Sequence, residues 1–178
     1  MLSDTRLKDG RQLIIAHAAP ADAAEIVAYV ERASAETDFL TFGAGEFGIT
    51  VADEEKFIAS LEGGAAGFML VGKTDGAVVS TCTVMRPKRP RVQHLGVFGI
   101  SVARATWGLG VGQAMCLAAL AAARDIDVTK LSLEVREDNA TAIRLYEKVG
   151  FRVEGRAERA LKVGGKYYAN VMMGLCLD

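Results

Sequence analysis

Gly99 to Arg124 reads G-I-S-V-A-R-A-T-W-G-L-G-V-G-Q-A-M-C-L-A-A-L-A-A-A-R. The apolar run Val97 to Val102 leading into it is strand-like. Trp107 to Gly112 then sets three glycines within six positions, and a helix rich in small residues follows without a break. Strand, glycine turn and helix start together make an anion site. Glycines let the backbone turn and approach a ligand closely. The free N–H groups of the first helical turn and the helix dipole favour phosphate.

Spacing excludes the two commoner phosphate loops. A P-loop needs G-x-x-x-x-G-K-S/T, and no lysine followed by Ser or Thr opens this helix. A dinucleotide fingerprint needs G-x-G-x-x-G, but counting from Gly108 ends on Gln113 and counting from Gly110 ends on Met115. The loop also follows several earlier strands, whereas a dinucleotide loop follows the first.

Outward from this centre the elements fall into place. Gln12 to Ala18 reads as a strand stopped by Pro20, and Ala23, Ile26, Val27 and Val30 recur at helical spacing to about Ser34. Thr50 to Asp53 resembles a capping pattern for a short helix with Phe57, Ile58 and Leu61 on one face. Gly67 to Lys73 and Ala77 to Met85 form a hairpin about Thr74-Asp75-Gly76. The basic run Arg86 to Arg91, with Pro87 and Pro90, is a solvated loop. Beyond the central helix come a strand (Lys130 to Arg136), a helix (Asn139 to Val149) closed by Gly150, and a hairpin of Phe151 to Val163 with Tyr167 to Leu177. The expectation is an α+β (mixed α/β) fold, one mostly antiparallel central sheet flanked by about four helices. Residues 1–178 form a single domain in this reading, with residues 1–10 a loose arm.

The totals narrow the class. Apolar residues make up 51% and charged residues 24%, with 21 basic against 22 acidic side chains. That balance predicts no nucleic-acid partner and no pull toward a membrane. No apolar run approaches the roughly 18 residues of a membrane span, and the first residues lack the apolar centre of a signal peptide. Cys82, Cys116 and Cys176 are scattered without metal-ligand spacing, so no metal is expected. Reduced thiols point to a cytoplasmic location.

Two motifs in order carry a family resemblance. V-A-R-A-T-W-G-L-G-V-G (Val102 to Gly112) resembles the acetyl-CoA motif of the GNAT superfamily of N-acetyltransferases, V-x-x-x-x-Q/R-x-x-G-x-G/A. Trp107 stands where Gln or Arg is usual; a loop donating backbone N–H groups makes little demand on that side chain. Leu133 to Phe151 matches the family's L-x-V-x-x-x-N-x-x-A-x-x-L-Y-x-x-x-G-F at every fixed place. The resemblance covers residues 80–178 well and the first half by element order alone. It implies a GNAT-like fold and acetyl-CoA as cosubstrate. The residues it assigns to the cofactor are Val102, Arg104, Trp107, Gly108, Leu109, Gly110, Val111, Gly112, Asn139 and Ala142.

Read without the resemblance, Asn139 is a helix N-cap and Tyr146 a core aromatic. The resemblance adds a bond from Asn139 to the pantetheine arm. It places Tyr146 beside the thioester sulfur, where it would protonate the leaving thiolate. The partner implied is an amine acceptor, attacking the thioester directly. An alkyl ammonium with a pKa near 10.4 needs about 4–5 kcal/mol to supply its free base at neutral pH, so a base is required. His94 precedes Val102 by eight residues, roughly 26 Å along a strand, too far to serve. The resemblance offers Glu134 instead, since some family members that acetylate protein N-termini use a Glu at this place as base, although Leu133 and Val135 on the opposite face also fit a plain surface-strand residue there. Glu46 is the alternative. The aromatic-rich stretch Ala35 to Thr50, with Phe39, Phe42 and Glu46, is either the acceptor site or an ordinary buried connection. Cys116 lies inside a helix expected to pack on the sheet, which argues against a covalent intermediate. Transfer to a small amine or peptide competes with transfer to protein N-termini and with a non-catalytic acyl-CoA sensor. A homodimer is the expected assembly.

Overall fold

In a computed structural model, which describes residues 1–177, the Gly99–Arg124 stretch lies at the middle of an eight-stranded sheet. The chain runs β1 (Ser3–Arg6), β2 (Gln12–His17), α1 (Ala23–Glu36), α2 (Val51–Ser60), β3 (Gly67–Thr74), β4 (Ala77–Met85) and β5 (Leu95–Val102). It continues with α3 (Val111–Arg124), β6 (Lys130–Arg136), α4 (Ala140–Lys148), β7 (Arg152–Val163) and β8 (Lys166–Cys176). The spatial order is β1-β2-β3-β4-β5-β6-β8-β7, antiparallel throughout except for β5 beside β6. This is the mixed α+β architecture expected from the sequence.

Residues 1–10 are not a loose arm. Ser3 to Arg6 pair antiparallel with β2, Ser3 opposite Ile15 and Arg6 opposite Gln12, and Leu7 is buried. Lys8 N–H also donates to Leu109 O at 3.2 Å. The polar composition misleads because an edge strand needs only backbone pairing and one anchoring side chain, and charged residues on an edge discourage further pairing.

Helices cover both faces of the sheet. In β3, Phe68 and Leu70 enter the cluster under α3 and α4, while Met69 and Val71 enter the one under α1 and α2. Burial on both sides explains why β3 reads as an unbroken apolar run. α1 presents Ile26, Tyr29, Val30 and Ala33 at helical spacing to its cluster. Its first turn is pinned by Lys73, whose Nζ donates to Asp22 at 3.0 Å and Glu25 at 2.6 Å, and Glu25 accepts from Val78 N–H at 2.7 Å. Thr50 caps α2 by accepting from Asp53 N–H at 3.1 Å. α4 ends where Gly150, at φ 108°, turns the chain so that Phe151 N–H reaches Tyr146 O at 2.9 Å.

The one parallel pair decides where the site lies. β5 and β6 pair only over Leu95–Val97 and Lys130–Ser132, although β5 runs on to Val102 and β6 to Arg136. Meanwhile β4 holds β5 through Val102 and β8 holds β6 through Arg136. The sheet therefore behaves as two intact halves that diverge from each other past Val97 and Ser132. The facing edges of Phe98–Val102 and Leu133–Arg136 make no ladder to one another, which leaves a wedge open toward both strand ends. Among the described residues no helix is long and apolar enough to cross a membrane.

Candidate active site

The glycine loop stands at the wide end of this wedge. Gly108 and Gly110 take φ of 76° and 102°, a region costly for residues with a Cβ. Gly110 is the N-cap of α3 and offers no side-chain cap; the first bond of the helix runs from Ala114 N–H to Gly110 O at 3.0 Å. The N–H groups of Val111, Gly112 and Gln113 are therefore free of intrahelical partners, and no acid stands in that turn to compete for them. Gly112 serves close packing: a Cβ there would come within 2.9 Å of Leu145 Cδ2 on α4. The residues fit a diphosphate, each N–H to a charged oxygen being worth about 1.5–3 kcal/mol.

Trp107 has a task the sequence does not announce. Its indole Nε1 donates to Val102 O at 2.8 Å, closing the end of β5, while the Arg104 guanidinium lies 5.9 Å from its ring centre. Val102 and Leu109 are half-buried beside the loop, packed against the α3 and α4 cluster. A groove of about 520 Å³ continues from Gly110 and Gln113 along α3 to β1, where Arg6 and Lys8 line it. The sequence reading missed these two cations because it left residues 1–10 unplaced. Lys148 adds a third, its Nζ donating to Gln113 Oε1 at 2.8 Å.

The second motif builds the opposite side of the wedge. Asn139 is the N-cap of α4, its Oδ1 accepting from Ala142 N–H at 3.2 Å, which leaves its amide NH₂ for another partner. Tyr146, one of the most buried residues of α4, packs edge-on against Phe98 (ring centres 6.1 Å) and Phe151 (5.9 Å). Among the described residues its hydroxyl has no protein hydrogen bond, and no fully sealed side-chain polar atom lacks a partner, so the Oη keeps some exposure although the residue is buried. Burial raises the Tyr146 pKa well above the usual tyrosine value, with Cys116 and Cys82 adding to it. The phenol is therefore a neutral hydrogen-bond donor at any working pH. Burial also pushes the Cys116 thiol up to about 12, which makes it a poor nucleophile.

Glu134 lies on the other face. Leu133 and Val135 are buried under α3 and α4, so Glu134 points to the α1 and α2 side, two residues past the last β5–β6 pair. Its carboxylate is exposed and accepts from Asn170 Nδ2 at 3.0 Å. Nearby on this face a hydroxyl chain joins Tyr29 Oη to Ser101 Oγ (2.9 Å) and Ser101 Oγ to Thr81 Oγ1 (3.0 Å). His94 lies at the closed end of the wedge, its carbonyl accepting from Thr129 and Lys130 N–H.

The acceptor-side candidates separate. Glu46 turns inward on its own loop, Oε2 accepting from Gly43 N–H at 2.7 Å, and Phe42 packs on Phe47 at 5.2 Å and against the α1 and α2 cluster. Phe39 stacks instead on Arg136, 4.3 Å from the guanidinium carbon. Phe42 and Glu46 line a cavity of about 230 Å³ between this loop and the β7–β8 tip at Leu161 to Gly164. Among the described residues no group of three His, Cys, Asp or Glu is placed to hold a metal ion.

A family profile described as acetyltransferase (GNAT) family matches residues 27–151. The chain belongs to the GNAT family. Within it, the chain is 34% identical over 99 residues to the L-amino acid N-acetyltransferase AaaT of Escherichia coli (strain K12), a match that covers 55% of this chain and 61% of that relative. The structure of a GNAT-family acetyltransferase from Streptococcus pneumoniae superposes with a TM-score of 0.89 at 29% identity, over 93% of this chain and 99% of the other. YncA from Salmonella typhimurium, solved with its cofactor acetyl-CoA, shares the fold at a TM-score of 0.82 and 19% identity, over 93% and 94% of the two chains. The GNAT profile spans both motifs, from α1 to Phe151, so the resemblance reaches further toward the N-terminus than the motifs alone carried it.

Proposed function

We propose that this protein transfers the acetyl group of acetyl-CoA to a primary amine by direct attack, and that the acceptor is a small molecule of amino-acid size. The observation that carries the reading is the wedge between β5 and β6, with a neutral phenol on one face and a carboxylate on the other. The thioester supplies the activated acetyl group. The acceptor nitrogen bonds to its carbonyl carbon, the C–S bond breaks, and the nitrogen gives up a proton. Glu134, on the face opposite Tyr146, takes that proton directly or through water. Tyr146 donates a hydrogen bond to the sulfur as charge gathers on it. Full transfer of the phenol proton is uphill, because its raised pKa lies above the roughly 8.5 of a thiol by more than about 1.5 units, or 2 kcal/mol. Its contribution is therefore stabilisation of charge on sulfur.

Acetyl-CoA as donor is supported by the free N–H groups of Val111 to Gln113 and by the acetyl-CoA in the YncA structure. A small acceptor is supported by the relative named for L-amino acids. A panel of L-amino acids, polyamines and short peptides with acetyl-CoA, followed by thiol release and product mass, tests the proposal. One or more small amines should gain a single acetyl group with one thiol released per turnover. Turnover of peptides alone would move the acceptor to protein N-termini. Tight acetyl-CoA binding without turnover of any amine would leave a sensor.

A further inference from the structure

We propose that Glu36 to Phe39 is a strap tied across the open end of the β5–β6 wedge, and that Glu36 and Arg136 are positioning residues for the acceptor. The inference rests on the acetyltransferase reading above. β5 ends at Val102 and β6 at Arg136, and past Val97 and Ser132 the two strands part without pairing. One tie reaches each side. At the β5 side, Glu36 Oε2 accepts from the backbone N–H of Arg104, two residues beyond the strand, at 2.8 Å. At the β6 side, Arg136 Nη1 donates to Asp38 O at 2.8 Å and its guanidinium carbon lies 4.3 Å from the Phe39 ring. The three residues Glu36 to Asp38 thus link the two halves of the sheet where nothing else in the ladder does.

Arg136 is built to hold its tie. It is 8% exposed, its Nε and Nη2 engage both oxygens of Asp138 at 2.6 and 3.2 Å, and Tyr168 of β8 covers its second face at 4.2 Å. A planar guanidinium can meet a carboxylate fork, a carbonyl and two rings at once, which an ammonium cannot. The same residue reaches the donor side through its backbone, since Arg136 O accepts from Asn139 N–H at 2.9 Å at the start of α4. The strap therefore fixes the wall past which an amine reaches the wedge, on the Glu134 face. A loosened strap leaves the diphosphate loop intact and lets the acceptor bind in more than one pose.

Glu36→Ala, Glu36→Gln and Arg136→Lys test this in the full chain, by steady-state kinetics with the best amine of the panel and by amide hydrogen exchange over residues 37–43. Loss of one tie should raise the acceptor KM about fivefold in Glu36→Ala and Arg136→Lys, with the acetyl-CoA KM within about twofold of wild type. Exchange over 37–43 should quicken in both. Glu36→Gln keeps an oxygen for Arg104 N–H and should return the acceptor KM toward wild type. An unchanged acceptor KM in Glu36→Ala, or an equal rise in both KM values, overturns the proposal. If Arg136→Lys melts early, Glu36→Ala decides alone. A wild-type protein that acetylates no amine sinks the transferase reading, and unchanged exchange in Glu36→Ala would then remove the strap independently.

Discussion

The proposed donor side and the proposed acceptor side of the wedge are built by different means. The proposed donor side is mostly backbone: two glycines at positive φ and a bare helix start at Val111 to Gln113, joined by one side-chain cap at Asn139. The acceptor side is side chains reaching across the fold, Glu36 to Arg104, Arg136 to Asp38 and Phe39, and Glu134 to Asn170. A backbone site depends on residues adjacent in sequence, so it tolerates little change and reads as a motif. A site held by distant side chains can be rebuilt with other residues, which suits the part that must differ between acceptors.

Three substitutions cut the proposed donor side and should leave the other standing. Gly112→Val should have the largest effect. A branched side chain collides with Leu145 and crowds the bare helix start, and acetyl-CoA affinity by calorimetry should fall about 100-fold or more, the loss of at least two charged hydrogen bonds. Acceptor KM at saturating acetyl-CoA should move little; if it rises equally, the two sides are not separable. Tyr146→Phe follows, with kcat down about 10- to 100-fold and acetyl-CoA affinity within about twofold. An unchanged rate would strip Tyr146 of its role at the sulfur.

The next concerns the layer beneath both sides. Tyr29 and Cys116 are both raised by burial to about 12, from ordinary values of 10 and 9. In the unfolded chain they lose protons first, so the folded form holds more protons and stability must fall as pH rises. The loss should begin near pH 9 and grow by up to about 1.4 kcal/mol per group per pH unit, with no plateau at pH 12, because burial raises Tyr146 and Cys82 as well. Thermal melts from pH 8 to 11 measure it, and Cys116→Ala should blunt the fall between pH 9 and 10. The smallest effect is expected of Trp107→Phe. Losing the bond to Val102 O should weaken acetyl-CoA binding about fivefold, by roughly 1 kcal/mol, without touching acceptor selectivity. Equal affinity would mean that the loop needs only its glycines.

Much of the fold was legible. Hydrophobic period, the Thr50 and Gly150 caps and the Asp75-Gly76 turn are local signals, and the strands and helices they mark stand where the sequence put them within a residue or two. β1 was not legible, because Ser3 to Arg6 is polar and its only reason to be a strand is the free edge of β2. Of the site, the Gly110 to Gln113 donors and the Asn139 cap could be read off. Glu46 could not, since only the folded loop shows its carboxylate spent on Gly43 N–H.

The division has a physical cause. φ preferences, caps and amphipathic faces act locally, so the sequence by itself determined every strand and helix but β1, the glycine turn before α3 and the family. Where β5 and β6 stop pairing depends on residues far apart in the chain, with β4 holding β5 and β8 holding β6 past the last shared pair. Only the tertiary structure decided that Glu134 and Tyr146 lie on opposite faces of that opening. Only there does Arg136, an unremarked arginine inside a family motif, bond to Asp38 O and stack on Phe39 of the loop after α1.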